Sequence, residues 1–224
     1  MPNNLNKNFI SWDSSNWERC LHYIDIYKNR SFEKKNVLEI GGANGSLSFW
    51  AANQNANVVC SDILPIDRYA FNKFGKLKNG SIRYEIIDAL KIPYKDYFDF
   101  VIFKSVLGGI GRNNNLEAIF SVMTQIRKSL KHDGQCLFIE NMKGTPIHHL
   151  IRNKYGAGKN GWYYPTINDF INLSKEFSSI QYKTFGLLGS TGKHHLPIRT
   201  RIDRKIDQLV PNHWNYIFAG IFSK

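Results

Sequence analysis

The residues best suited to chemistry begin at Glu39. The run Glu39-Ile40-Gly41-Gly42-Ala43-Asn44-Gly45 follows a short apolar stretch, NVLEI, and leads into SLSFWAANQ, which continues as a helix. A strand that enters a glycine-rich turn and then a helix is a cofactor cradle. Its glycines let backbone amides approach a ligand, and the helix start presents free N–H groups. The spacing selects among cofactors. A dinucleotide turn needs G-x-G-x-x-G, which this run lacks, and no Lys-Ser/Thr pair marks a phosphate-binding P-loop. The run fits E/D-x-G-x-x-x-G, with a carboxylate two places before the first glycine. Further along, Asp62, Asp88-Ala89 and Lys104-Ser105 each stand at the end of an apolar, strand-like run.

A proton acceptor working near neutrality is most readily an imidazole. The last third of the chain carries two pairs, His148-His149 and His194-His195. His149 and His194 are the first candidates for a general base. His22 is a lesser one, and His132, in a Lys-His-Asp-Gly turn, reads as structural. Trp162, Tyr163 and Tyr164 form an aromatic run between Gly161 and Pro165, suited to stacking on a sugar or base ring. Cys20, Cys60 and Cys136 lie far apart, with no Cys/His cluster, so disulfides and structural zinc are poor readings and a reducing cytoplasm fits. Asp88, Glu140 and Asn141 are too few to constitute a metal site, and none is expected.

The elements that must position these groups follow from hydrophobic spacing. Trp17, Leu21, Ile24 and Tyr27 repeat at helical intervals in a helix over 12–28, capped by Asp13 or Ser14. Strands are predicted at NVLEI, NVVCSDI, the end of KNGSIRYEIID, YFDFVIFKSV and the end of KHDGQCLFIEN. Between them lie helices at SLSFWAANQ, IDRYAFNKF and LEAIFSVMTQIRKSL, the last with Leu116, Ile119, Phe120, Met123, Ile126 and Leu130 on one face. Strands alternating with helices over 37–141 predict βαβ units and a mostly parallel sheet covered on both faces. Beyond it, 142–165 reads as a long loop or broken helix and TINDFINLSKEF as a helix. SIQYKTFGLL and NYIFAGIF read as strands on either side of a basic insertion, 189–213.

This ordered set of features resembles the class I S-adenosylmethionine-dependent methyltransferases, over roughly residues 37–141. The resemblance implies an α/β, Rossmann-like, seven-stranded and mostly parallel sheet with helices on both faces and a late antiparallel hairpin. It implies one domain over 1–224: a helical lid over 1–36, a cofactor-binding core over 37–141, and substrate loops with closing strands over 142–224. S-adenosyl-L-methionine is the implied cofactor, held by Glu39, Gly41, Asn44, Gly45, Asp62, Asp88, Ala89 and Lys104. In that arrangement Asp62 grips the ribose hydroxyls, Asp88 and Ala89 read the adenine, and Lys104 lies near the methionine part. Ala43 stands where many members have a second glycine, which is tolerable if its φ stays negative.

Composition narrows the acceptor. The 224 residues are 42% hydrophobic and 21% charged, which is ordinary globular usage, and no apolar run is long enough to span a membrane. MPNNLNKNF has no apolar signal core, which argues against export. The net charge of +12 is uneven: residues 1–36 and 37–141 carry +2 each, and 142–224 carry +8. No carboxylate occurs between Glu140 and Asp169, or between Glu176 and Asp203. A small anionic acceptor is therefore expected, such as a phosphorylated or nucleotide-linked sugar or a surface-polysaccharide precursor. Arg152, Arg199, Trp162 and Tyr163 are the expected acceptor contacts, the arginines as planar phosphate clamps. The second choice is RNA or DNA, drawn by the basic last third with its aromatics. Against it, Phe103-Lys104-Ser105-Val106 stands where base-amino methyltransferases carry a Pro-Pro-aromatic motif.

Overall fold

The computed structural model of the chain describes residues 14–65, 77, 80–188 and 197–224, without the side chains of 14 and 197–200. The expected helix at 66–74, Asp13, and His194 with its neighbour His195 lie outside the described residues.

Seven strands make one sheet: β1 Asn36–Ile40, β2 Asn57–Asp62, β3 Ser81–Ile86, β4 Phe98–Lys104, β5 Leu130–Asn141, β6 Ser179–Phe185 and β7 Ile217–Ser223, in the order β3-β2-β1-β4-β5-β7-β6. The first five run parallel, and β7 inserts antiparallel between β5 and β6. Strand order reverses between β1 and β4, which opens a crevice at the carboxyl ends of these strands, where α/β sheets bind ligands.

The central strands are apolar on both faces because both are covered. Val37, Cys60, Phe100, Ile102, Leu137, Ile139 and Ala219 point to one side, under α1 (Ser14–Tyr27) and α2 (Ser46–Ala52). Leu38, Val59, Val101, Phe103, Phe138 and Phe218 point to the other, under α4 (Leu116–Ser129) and α6 (Ile167–Leu173), which follow the short α3 (Leu107–Ile110). The period-2 alternation of a strand thus feeds two separate cores.

Details differ from the sequence reading. In α1, Trp17, Cys20, Leu21 and Ile24 are buried, whereas Tyr27 at its end is exposed and stacks on Tyr23 at 4.8 Å. In α4 the buried stripe is Ile119, Val122, Met123 and Ile126; Leu116 and Phe120 are exposed, since the stripe turns with the 3.6-residue period and leaves them off the sheet. Residues 142–165 hold a real helix, α5 (Pro146–Tyr155), with Pro146 at its start and a reciprocal cap between Thr145 and His148. The basic insertion contains α7 (Pro197–Ile206).

α7 is tied to α1 by two buried carboxylates. Asp203 accepts from Leu187 N, Leu188 N and Asn16 Nδ2, and Asp207 accepts from Gly186 N and both terminal nitrogens of Arg19 (2.6 and 3.1 Å). Asp207 is almost wholly buried, so Arg19 supplies the countercharge that its desolvation requires. Arg19→Ala strands that charge and is expected to lower unfolding free energy by about 3–5 kcal/mol, read as a reduced urea midpoint.

Candidate active site

The crevice begins at the turn between β1 and α2. Gly41 takes φ 63°, and a Cβ there would fall 2.6 Å from Val106 Cγ2, so only glycine lets the turn close against the loop after β4. The expectation for Ala43 is corrected: its φ is +43°, in the left-handed region. That conformation costs about 1–2 kcal/mol in a residue with a Cβ. Asp62 Oδ2 accepts from Ala43 N at 3.0 Å, and Gly42 N donates to Ser61 O at 2.8 Å, so the end of β2 holds the strained turn in place.

Glu39 lies beneath this turn, 3% exposed. Its Oε2 accepts from Ser48 N at 2.8 Å and from the Ser48 hydroxyl, and Cys60 Sγ lies 3.6 Å away. Burial lifts its pKa to about 7, opposed by the Ser48 hydrogen bonds and the Lys104 charge. Lys104 Nζ sits 5.9 Å from the Trp17 ring centroid, bringing α1 to the crevice.

The opposite wall hangs from Glu140, which is fully buried. Its Oε1 accepts from both Val106 N and Leu107 N, and Oε2 has no partner among the described residues. Burial drives its pKa to about 8, with the two amides pulling the other way. Near neutrality the acid is neutral, with its carbonyl oxygen accepting both amides. Ser105, at φ 57°, is fixed from the other strand face by Asn141, whose Nδ2 donates to its hydroxyl at 3.1 Å. α3 then runs under Trp162, and Gly108 is required there because its Cβ would fall 1.9 Å from Trp162 Nε1.

These walls enclose a cavity of about 470 Å³ lined by the 41–44 turn, Glu39, Lys104, Ser105 and Asn141, under a roof of Trp17, Arg152, Trp162, Tyr164 and Tyr216. Arg152 donates to Met142 O and, at 3.3 Å, to Asn141 Oδ1; its guanidinium lies 4.6 Å from the Tyr164 ring and 5.4 Å from that of Tyr216. Tyr216 in turn accepts at its hydroxyl from Asn16 of α1 at 2.9 Å. Aromatic contacts and hydrogen bonds therefore hold the cation in the roof.

Glu39, Gly41, Asn44, Lys104, Arg152 and Trp162 from the sequence reading converge on this cavity, and Gly45 directly follows its turn. Asp62, Asp88 and Ala89 stand on the same carboxyl edge of the sheet, outside its lining. Asp62 and Asp88 also cap their own turns, accepting from Leu64 N and Leu90 N. His149 and Tyr163 face a second cavity of about 430 Å³ on the far side of Trp162 and Tyr164. There His149 Nε2 lies 3.0 Å from Asn153 Nδ2, and the Tyr163 hydroxyl donates to Asp169 at 2.8 Å. The side chain of Arg199 lies outside the described residues. Sequence reasoning missed Trp17, Asn141 and Tyr216 as lining residues. Trp17 sits at core spacing and is buried, and Tyr216 merely precedes a strand, so neither carries a distinguishing signal. Among the described residues no group of three His, Cys, Asp or Glu could hold a metal ion.

A family model described as a methyltransferase domain matches residues 38–138. No curated protein sequence matches. Among solved structures, a phosphoethanolamine N-methyltransferase 2 of Haemonchus contortus in complex with S-adenosyl-L-methionine superposes with a TM-score of 0.63 at 14% identity. The alignment covers 93% of this chain and 52% of that one, so the chain spans about half the length of that enzyme. An S-adenosylmethionine-dependent methyltransferase of Methanosarcina mazei gives 0.61 at 14% identity over 90% and 96% of the two chains. One from Archaeoglobus fulgidus gives 0.56 at 17% over 92% and 91%. These likenesses extend to the fold, late hairpin included.

The two raised carboxyl pKa values give stability a pH dependence. Glu140 goes from 4.5 to about 8 on folding, so the folded state holds this proton more tightly than the unfolded chain. Its contribution is complete below 4.5 and is lost as pH rises to about 8. Glu140→Gln keeps a carbonyl for both amides without titrating. The urea midpoint of the unaltered chain is expected to fall across this range, and that of the variant to fall less steeply, with Glu39 contributing the remainder.

Proposed function

We propose that the chain is a class I S-adenosylmethionine-dependent methyltransferase that methylates a small anionic acceptor, such as a phosphorylated or nucleotide-linked sugar or another phosphate-bearing precursor. The observation that carries this is Arg152, held in the cavity roof between Tyr164 and Tyr216, with Lys104 also lining the cavity. The sole lining carboxylate among the described residues is Glu39, whose Oε2 is already engaged by Ser48. Two cations facing one half-neutralised carboxyl favour a negative ligand. A phosphate-bearing substrate also agrees with the phosphoethanolamine N-methyltransferase among the structural neighbours.

The cavity's fit to the cofactor rests on the turn itself, where glycine at 41 lets the backbone close against Val106 and the turn from 41 to 44 lines the cavity. Gly41, Asn44, Gly45 and Lys104 would hold its amino-acid part, and Asp62, Asp88 and Ala89 its ribose and adenine along the sheet edge. The cofactor supplies a sulfonium-activated methyl group for in-line displacement. The protein's task is then orientation: the aromatic roof excludes water, and Arg152 aligns the acceptor's anion so that its nucleophile faces the floor. Transfer to oxygen would also require loss of a proton to a group within hydrogen-bond reach; His149 lines the second cavity, across the Trp162–Tyr164 wall from this one.

Incubation with methyl-labelled cofactor and fractionated cell extract tests the reading. Label is expected in acidic small molecules; label in RNA or DNA, or in neutral metabolites alone, refutes it. Arg152→Met is expected to raise the acceptor KM by about tenfold or more, as a charge-assisted contact worth about 1.5–3 kcal/mol is lost. The cofactor Kd should stay within about twofold, and Arg152→Lys should recover little because the planar fork is gone. Asp62→Ala is expected to weaken cofactor binding by about 1–3 kcal/mol in calorimetry, as two hydroxyls lose a charged acceptor.

A further inference from the structure

We propose that the outward face of α5 docks on an anionic lipid surface. α5 has two faces of opposite character. Its inner face carries His148, His149 and Arg152, all half-buried: Arg152 and His149 line the two cavities, and His148 caps the helix start near Tyr216. Its outer face carries Ile147, Leu150, Ile151 and Tyr155, at the i, i+3, i+4, i+8 spacing of one helix side. These four are 68%, 67%, 40% and 75% exposed, an apolar stripe turned to water. Single exposed apolar side chains are ordinary; four on one helix side mark a contact surface.

The charges around the stripe select its occupant. Lys154 falls inside the apolar arc, its Nζ 5.2 Å from the Tyr155 ring, and Lys143 and Lys159 are exposed at either end of the helix. No carboxylate lies between Glu140 and Asp169 to offset them. An apolar stripe framed by lysines is the pattern of a helix lying in a headgroup layer, its aliphatic side chains immersed and its ammonium groups among lipid phosphates. A second copy of this chain fits worse. Ten residues make a helix about 15 Å long, short of the roughly 800 Å² per partner that a stable dimer buries, and a two-fold contact would set Lys154 against its own copy. The inference is independent of the acceptor proposed above, because docking needs neither cofactor nor acceptor.

The test is co-sedimentation of the full chain with phosphatidylcholine vesicles and with mixed phosphatidylcholine/phosphatidylglycerol vesicles at low salt. Binding is expected to the mixed vesicles alone and to weaken as salt rises. The double variant Ile147→Ser/Leu150→Ser should lose binding by about tenfold or more, with an unchanged melting temperature because both side chains are already exposed. Lys154→Gln should lose about fivefold. Failure to bind the mixed vesicles, equal binding to both kinds, or undiminished binding by the double serine variant overturns the proposal. So does a dimer in solution that the double variant dissociates.

Discussion

The site depends on one buried carboxyl. Glu140, at the end of β5, reaches across to the amides of Val106 and Leu107 in the segment after β4, satisfying two donors at the start of α3. Three surfaces of the cavity hang from this bond. Val106 is pressed onto Gly41, which closes the cofactor turn. Ser105 is left at a positive φ with its hydroxyl toward Asn141. α3 is set under Trp162, whose ring divides the two cavities. Burial pushes this carboxyl's pKa up and so favours its neutral form, which lowers the cost of burying it while it organises the backbone.

Glu39 does the equivalent work on the floor from the opposite sheet face. Its hydrogen bonds to Ser48 fix α2 to β1, and Lys104 and Trp17 stand above it on the same side. The parity of the strands makes this division possible. Odd positions of β1 and even positions of β4 face α1 and α2, so Glu39 and Lys104 share a face. Glu140, one residue out of phase with Leu137 and Ile139, faces the α4 side. Catalytic crevices of this architecture lie where two such faces meet at the strand ends, and here the two carboxyls brace it from each side.

The floor of the cavity was legible in the sequence because its signals are local. Glu39 to Gly45 lie within one turn, and Asp62 and Lys104 each close a strand whose apolar run is unmistakable, while Asp88 lies two residues beyond the partly exposed β3. The sheet core was equally legible, since strands buried on both faces read as continuous hydrophobic runs. The roof of the cavity was not. Trp17, Asn141 and Tyr216 come from three distant segments and are brought together by helix and strand packing, and nothing in their own neighbourhoods separates them from core residues. The places of the two histidines of α5 were not legible for the same reason. His148 is consumed in the cap of α5 and His149 turns to the second cavity, outcomes set by the helical phase of a segment that reads locally as a loop.

The basic last third, a single number in the sequence, divides into separate physical roles once folded. Arg152 is a structural cation with aromatic rings around it, and its hydrogen bonds to Met142 and Asn141 join α5 to the end of β5. Elsewhere, two of the segment's four carboxylates, Asp203 and Asp207, are buried and committed to α1 and to the chain after β6. They therefore do little to neutralise the exposed Arg201, Arg204 and Lys205 of α7, which stay outward on the same helix. The solvent-facing charge of α7 is thus more positive than the net count implies. What each cation does is set by what its helix packs against: Arg152 is drawn into the cavity roof, with Lys104 also lining the cavity, whereas the cations of α7 face solvent.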